Sequence, residues 1–323
     1  MRPSHIAALL VLILCLSWLA AAATVKAHEP LDLTKLPLGD GKISTEPRAG
    51  WIWACRIDPN AGGAHREGPW IDEAAGTFDL TAKAVVDGEV TWPYRFSITR
   101  EGSTRVIATN DLPTHPTGQF PISRQDDAYQ YDRNPNSIRA QDIVLRLPTE
   151  PTLAARPRRA PGAVGVLVTG VALFSAIDAP GRDAVAHETQ DACMGHPQRT
   201  GAYHYHNLTP CLEDPRDEGE HSGLVGYAID GFGIYGPYGE GGVPLVSADL
   251  DECHGHVHEI DWDGRRRAMF HYHATPDFPY TLGCLRGTYE RRASFALDGG
   301  PGVPPAQGAA RRRTSRPQRA SSA

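Results

Sequence analysis

The sequence predicts a mainly β protein: a single β-rich domain with long loops, an internal tandem duplication and disulfide staples. Three observations predict it. First, 33 glycines and 27 prolines are spread along 323 residues, which leaves few stretches long enough for a helix. Second, the apolar residues that do cluster alternate with period two or form short apolar runs. Third, one ordered set of features occurs twice. Gly165-Val-Leu-Val-Thr-Gly170-Val-Ala-Leu-Phe174, Asp191-Ala-Cys193-Met-Gly-His196, Tyr203-His-Tyr-His206 and Cys211-Leu212 are answered in the same order. The counterparts are Gly226-Tyr-Ala-Ile-Asp-Gly231-Phe-Gly-Ile-Tyr235, Asp251-Glu-Cys253-His-Gly-His256, Phe270-His-Tyr-His273 and Cys284-Leu285. This reads as two repeat units, about 165–212 and 226–285.

From the N-terminus, Arg2 precedes an apolar run over 6–19 and a small-residue stretch over 20–23. The run is short for a membrane span, so 1–27 reads as a secretory signal peptide cleaved after Ala23 or Ala27. The second site would expose His28 as an N-terminal copper chelator. Export means an oxidising compartment, secreted or periplasmic, with no transmembrane segment left in the chain. Residues 28–298 read as the domain. Residues 299–323, rich in Pro, Ala, Arg and Ser, read as a disordered basic tail.

Within the domain, Phe78, Leu80, Ala82 and Ala84 alternate as a strand would. So do Tyr94, Phe96 and Ile98; Val106 and 143–147 add further strands. Residues 110–121, with His115, form a loop. Residues 148–162, with four prolines and three arginines, read as an exposed connection. Residues 164–174 and 225–235 read as hairpins turning at Gly170 and Gly231. Only short pieces such as 184–190 suit a helix.

The chain carries a net charge of −6; setting aside Arg2, Lys26 and the five arginines of 299–323 leaves −13 on 28–298. So acidic a body argues against nucleic-acid binding. Cys193, Cys211, Cys253 and Cys284 bracket the two His-x-His motifs. One bridge within each repeat is preferred over a swapped pairing, which the sequence leaves open. Cys55 is left odd and reads as a buried thiol.

Ten of the fourteen histidines lie between His187 and His273, so the chemistry is sought there. A His-x-His pair on a strand points both rings to one face, about 6.5–7 Å apart at Cα. His204 with His206, and His271 with His273, would then each frame one metal or one substrate, and the aromatics between them would enter the core. His196 and His256 lie where a turn returns them to their pair. Three histidines per repeat suit one site each; all six converging is the alternative. Neutral imidazole suits Cu or Zn. His254 and His258 add donors on the face of His256. Asp191, Asp230, Asp251 and Glu259 are nearby carboxylates, and Asp230 and Asp251 are the candidate base or orienting groups.

Tyr203-His-Tyr-His206, the segment from Gly226 to Pro237, Leu250-Asp-Glu-Cys253-His-Gly255 and Phe270-His-Tyr-His273 with Pro279-Tyr280 resemble the YHYH-domain family of exported proteins. The resemblance is strongest over 190–290 and extends upstream to 110–121 and Asn134-Pro-Asn136. It implies export and a shared domain, and names no reaction. Phe270 in the second motif shows that a tyrosine hydroxyl is dispensable there. The functional expectation is a secreted protein binding Cu or Zn through His196, His204, His206, His256, His271 and His273, open to metalloenzyme chemistry. The alternative is a non-catalytic module with structural histidines, facing a small molecule or a cell-surface ligand. A metal-free His–Asp hydrolase is a third expectation, weakened by the lack of a nucleophile motif.

Overall fold

A computed structural model describes residues 29–288 apart from Arg56. The signal-peptide reading of 1–27 and the basic-tail reading of 299–323 lie outside the described residues. In chain order the strands are β1 (Leu36–Pro37), β2 (Ile71–Asp72), β3 (Thr77–Phe78), β4 (Phe96–Glu101), β5 (Thr104–Thr109), β6 (Ile143–Pro148), β7 (Leu153–Arg158), β8 (Ala163–Leu167) and β9 (Ala172–Phe174). The helix α1 (Ala184–His187) follows, then β10 (Gly195–Pro197), β11 (Tyr203–Tyr205), β12 (Leu224–Ala228), β13 (Gly233–Tyr235), β14 (Gly255–Trp262), β15 (Arg265–His273) and β16 (Leu285–Gly287). The protein is mainly β, as its composition requires.

Among the described residues the largest sheet has eight strands, in the order β10-β11-β9-β8-β12-β13-β15-β14. The first four strands come from one sequence unit and the last four from the other. The order reads the same outward from the centre in both directions. At that centre β8 and β12 pair antiparallel, with Val166 opposite Tyr227, Gly165 opposite Ala228 and Leu167 opposite Gly226. The two glycines are required there: a Cβ on Gly165 would lie 2.7 Å from the Tyr227 carbonyl oxygen, and one on Gly226 2.6 Å from that of Val166. Each unit then turns through a glycine in the left-handed region, Gly170 at φ 84° and Gly231 at φ 95°. β8 and β9 are buried along their whole length, which explains an apolar run without alternation.

A three-stranded sheet, β4-β5-β6, joins this core through Ile107, Leu145 and Leu147. Two disulfides, Cys193–Cys211 and Cys253–Cys284, close one loop in each unit, so the swapped pairing does not occur. Cys55 lies outside both bridges and is exposed rather than buried; its thiol donates to the Arg159 carbonyl at 3.4 Å.

Three stretches differ from the sequence expectation. The alternation from Phe78 to Ala84 yields a strand only to Phe78. The Asp79 carboxylate accepts from the backbone of Thr81 and Ala82 and from the Thr81 hydroxyl, bending the chain into a side-chain-capped turn. The connection 148–162 contains a strand, β7, paired antiparallel with β16. It is mostly exposed and belongs to a two-stranded ribbon, so its arginines stay solvated and Pro157 is tolerated. The helix is shorter than 184–190. Asp183 caps Val185 and Ala186, and the chain turns extended at Glu188.

The central pairing makes the first prediction. Gly226→Ala forces the Val166 carbonyl away and should cost roughly 1–3 kcal/mol in a urea unfolding titration. An unchanged midpoint would show that β8 and β12 are not packed so closely.

Candidate functional site

Each unit builds the same local scaffold. The Asp191 carboxylate accepts from the backbone N–H of Cys193 and Gly195 at 3.0 and 3.1 Å, and Asp251 accepts from Cys253 and Gly255 at 2.9 and 3.0 Å. The residue between cysteine and glycine is thrown into the left-handed region, Met194 at φ 61° and His254 at φ 74°. The glycine follows because an aromatic ring fills the space of its Cβ, Tyr203 against Gly195 and Phe270 against Gly255. The turn delivers a third histidine to the neighbouring strand. His196 sits directly opposite His204, and His256 opposite His271. The ring spacings match: 4.5, 5.4 and 5.0 Å among His196, His204 and His206, and 4.6, 4.8 and 4.9 Å among His256, His271 and His273. The two trios occupy opposite flanks of the sheet. Five inter-strand steps separate β11 from β15, roughly 24 Å at ordinary strand spacing. The six histidines therefore form two separate clusters.

Backbone carbonyls fix the rings. His204 Nδ1 donates to Ala202 and His206 Nδ1 to Ser175; His271 Nδ1 donates to Met269 and His273 Nδ1 to Gly236. A carbonyl only accepts, so each of these rings carries a proton on Nδ1, and neutral His204, His271 and His273 present an Nε2 lone pair to the cluster.

A fourth donor joins each trio, and the sequence pattern missed both. In the second cluster it is His221, from the loop before β12, whose own Nδ1 donates to the Ser222 carbonyl at 2.7 Å. Its Nε2 lies 3.2 Å from that of His271, while the Nε2 of His256 lies 3.0 and 3.1 Å from those of His271 and His273. Between His221 and His271, two neutral rings meet lone pair to lone pair with no proton to share. A metal bound at about 2.0–2.1 Å to four tetrahedral nitrogens sets them about 3.3–3.4 Å apart. The observed spacings are slightly shorter, so this donor set fits such an ion.

Beside the first cluster stands Glu188, at the end of α1, near two of the three histidines. One carboxylate oxygen lies 3.4 Å from His196 Nε2 and 3.3 Å from His206 Nε2. That oxygen, both nitrogens of His196 and the His206 Nε2 are buried without a hydrogen-bond partner among the described residues. Neither fourth donor belongs to the repeated motifs, and only proximity in the fold reveals them.

Burial governs the charges. It pushes His196 and His256 down to about 4, and holds His204, His271 and His273 well below the ordinary imidazole range. Burial alone would raise Glu188, but His196, His206 and Lys83 outweigh it and bring it down to about 2. Lys83, buried with its ammonium against the Gln190 side-chain oxygen, is pushed down to about 7 by burial, against the pull of Glu188, Asp183 and Asp132.

The remaining candidates are placed elsewhere. His254 leaves the face of His256: its Nδ1 donates to the His273 carbonyl, and its Nε2 accepts from the Ser247 and Thr275 hydroxyls, so both nitrogens are satisfied. His258 stays beside the second cluster, with its Nε2 against a Glu240 carboxylate oxygen. His115 bonds the Tyr205 hydroxyl at 2.5 Å. It lies near Cys193 and Cys211, whose sulfurs are joined to each other. Asp230 accepts from the Tyr272 hydroxyl and the Gly287 N–H, and Asp251 holds its turn. Among the described residues no hydrogen bond or ion pair joins either carboxylate to a cluster histidine. Glu259 is exposed, within 3.8 Å of Arg266.

Fold and site together define a β-sheet protein that carries two histidine clusters on one sheet, one buried and one partly buried. Residues 144–244 match the model of the family described as YHYH protein. The match starts upstream of residue 190, spans the first cluster and His221, and stops before the second motif. No curated protein matches the chain, and no solved structure does.

Lys83 makes a prediction with a definite sign. Its folded pKa lies below the unfolded value, so between about pH 7 and the ordinary lysine value the unfolded chain binds the extra proton. This group's contribution to stability is therefore present at high pH and is lost as the pH falls towards 7. Lys83→Met should flatten that part of the stability–pH curve in thermal melts. An unchanged slope would mean that Lys83 keeps its proton in the folded protein.

Proposed function

We propose that this is an exported metal-binding protein that holds Cu or Zn in two clusters. One consists of His221, His256, His271 and His273, and the other of His196, His204 and His206 with Glu188. The observation that carries the reading is the lone-pair-to-lone-pair approach of His221 and His271 at 3.2 Å, with both rings locked by carbonyls. A cation relieves that repulsion. A proton is the alternative, and burial of these rings opposes it. His254 shows what a structural histidine looks like in the same fold, with a partner on each nitrogen, whereas neither nitrogen of His196 has a hydrogen-bond partner among the described residues. Export is supported by two disulfides and by the match to the YHYH family. Among the described residues no helix is long and apolar enough to cross a membrane.

The alternative of a non-catalytic module with structural histidines makes the opposite forecast for one experiment. The untagged chain is purified from an oxidising compartment, dialysed against Cu²⁺ or Zn²⁺ and analysed for elements. One ion should be lost with His204→Ala/His206→Ala. The other should be lost with His221→Ala, which leaves the sheet untouched. No retained metal, together with a stability loss of several kcal/mol in the double variant, would favour the structural network instead.

A further inference from the structure

The two clusters differ in how a cation could reach them. His196, His204 and His206 are buried, and the Glu188 side chain is only 12% exposed. In the second cluster His271 and His273 are fully buried, but His221 and His256 are half-buried. More donors continue outward from them. His258 lies two residues beyond His256 on the same face of β14. Its ring stacks on His221 at 5.5 Å and 19°, and lies 6.0 Å from His256. Its Nε2 is paired with Glu240, whose side chain is 52% exposed, and its Nδ1 is buried without a partner among the described residues. The loop that brings in His221 is acidic: Glu213, Asp214, Asp217, Glu218 and Glu220 against Arg216. Glu213, Asp217, Glu218 and Glu220 are exposed.

We propose that Glu240 and His258 form an outer landing site through which a hydrated divalent cation enters the four-histidine cluster. On this proposal the second cluster exchanges its ion, and the first, enclosed cluster retains its own. The inference rests on the metal reading above. Acidic side chains around a narrow mouth concentrate cations and speed their arrival. At the landing site the Glu240 carboxylate releases His258 and takes the cation with it. The cation then gives up waters to the Nε2 lone pairs of His221, His256, His271 and His273. His221, His271 and His273 already carry a proton on Nδ1, against a backbone carbonyl; His256, whose Nε2 meets those of His271 and His273, keeps its single proton on Nδ1 when Nε2 takes the cation, and no electron moves.

The test mixes the metal-free full chain with Cu²⁺ in a stopped-flow instrument and follows visible absorption. Two phases are expected, and His221→Ala should abolish the fast one. His258→Ala, and separately Glu218→Gln/Glu220→Gln/Glu240→Gln, should slow the fast phase about tenfold and leave the slow phase alone; the acidic-loop variant should also lose its dependence on salt. Chelator should strip the fast-filling ion first. Unchanged fast-phase rates in both variants, or release of both ions together, would overturn the landing site while leaving metal binding intact. No absorption change at all would overturn the metal reading and the landing site with it.

Discussion

The site depends on one constraint, the register that sets His196 opposite His204 and His256 opposite His271. A slip by one residue would turn every imidazole to the other side of the sheet. The register is held from the turn, not from the strands, which in the first unit are only three residues long. Asp191 and Asp251 each gather two backbone N–H groups and force the intervening residue into the left-handed region. The adjoining cysteine is bridged, and the following glycine lies under an aromatic ring. The two carboxylates therefore act on the histidines through the backbone. The second unit does this without the tyrosine hydroxyl that Asp191 accepts from in the first, because Phe270 packs on Phe232 instead.

Once the register is set, the backbone decides the chemistry of the rings. Each His-x-His histidine donates its Nδ1 proton to a carbonyl, so all four Nε2 atoms point inward before any ligand arrives. Such preorganisation is what outer hydrogen bonds supply to metal-binding histidines. Burial works in the same direction by disfavouring the imidazolium form. The arrangement costs folding free energy in a metal-free protein, because buried acceptors are left facing one another. Filled sites would return that energy, so folding and metal occupancy are coupled in this reading.

Much of this was legible in the sequence. The hairpins around Gly170 and Gly231, the two disulfides and the three-histidine trios follow from the recurring motifs, because each is carried by residues at fixed offsets. What was not legible came from outside those offsets. Glu188 is the residue at which a four-residue helix ends, and His221 sits in a loop with no periodicity. Nothing local distinguishes them from solvated neighbours. His254 was misjudged for a related reason. Alternation places it with His256 and His258, but it lies one residue before β14, in the left-handed turn, and points the other way. The run from Phe78 to Ala84 failed because the Asp79 carboxylate competes for the backbone that a strand would use.

Both clusters follow one plan, three histidines from adjacent strands and one donor from off the sheet, and the off-sheet donor sets the difference between them. Glu188 is largely buried, with Lys83 and Asp132 close enough to influence its charge, so a carboxylate stands beside the first cluster in polar surroundings. His221 rides on an acidic loop and, like His256, is half-buried, so the second cluster is an all-imidazole set with two of its rings near solvent. Four protein donors leave an ion no position for a substrate, whereas catalytic zinc sites keep one for water. Chemistry at the second cluster would therefore require a ligand to leave. The sheet holds His256, His271 and His273 in place, and His221 is the donor whose departure would not disturb a strand. On the metal reading, the loop that would admit an ion is also the element able to open its coordination shell, which would favour exchange over fixed structural binding at that end of the sheet.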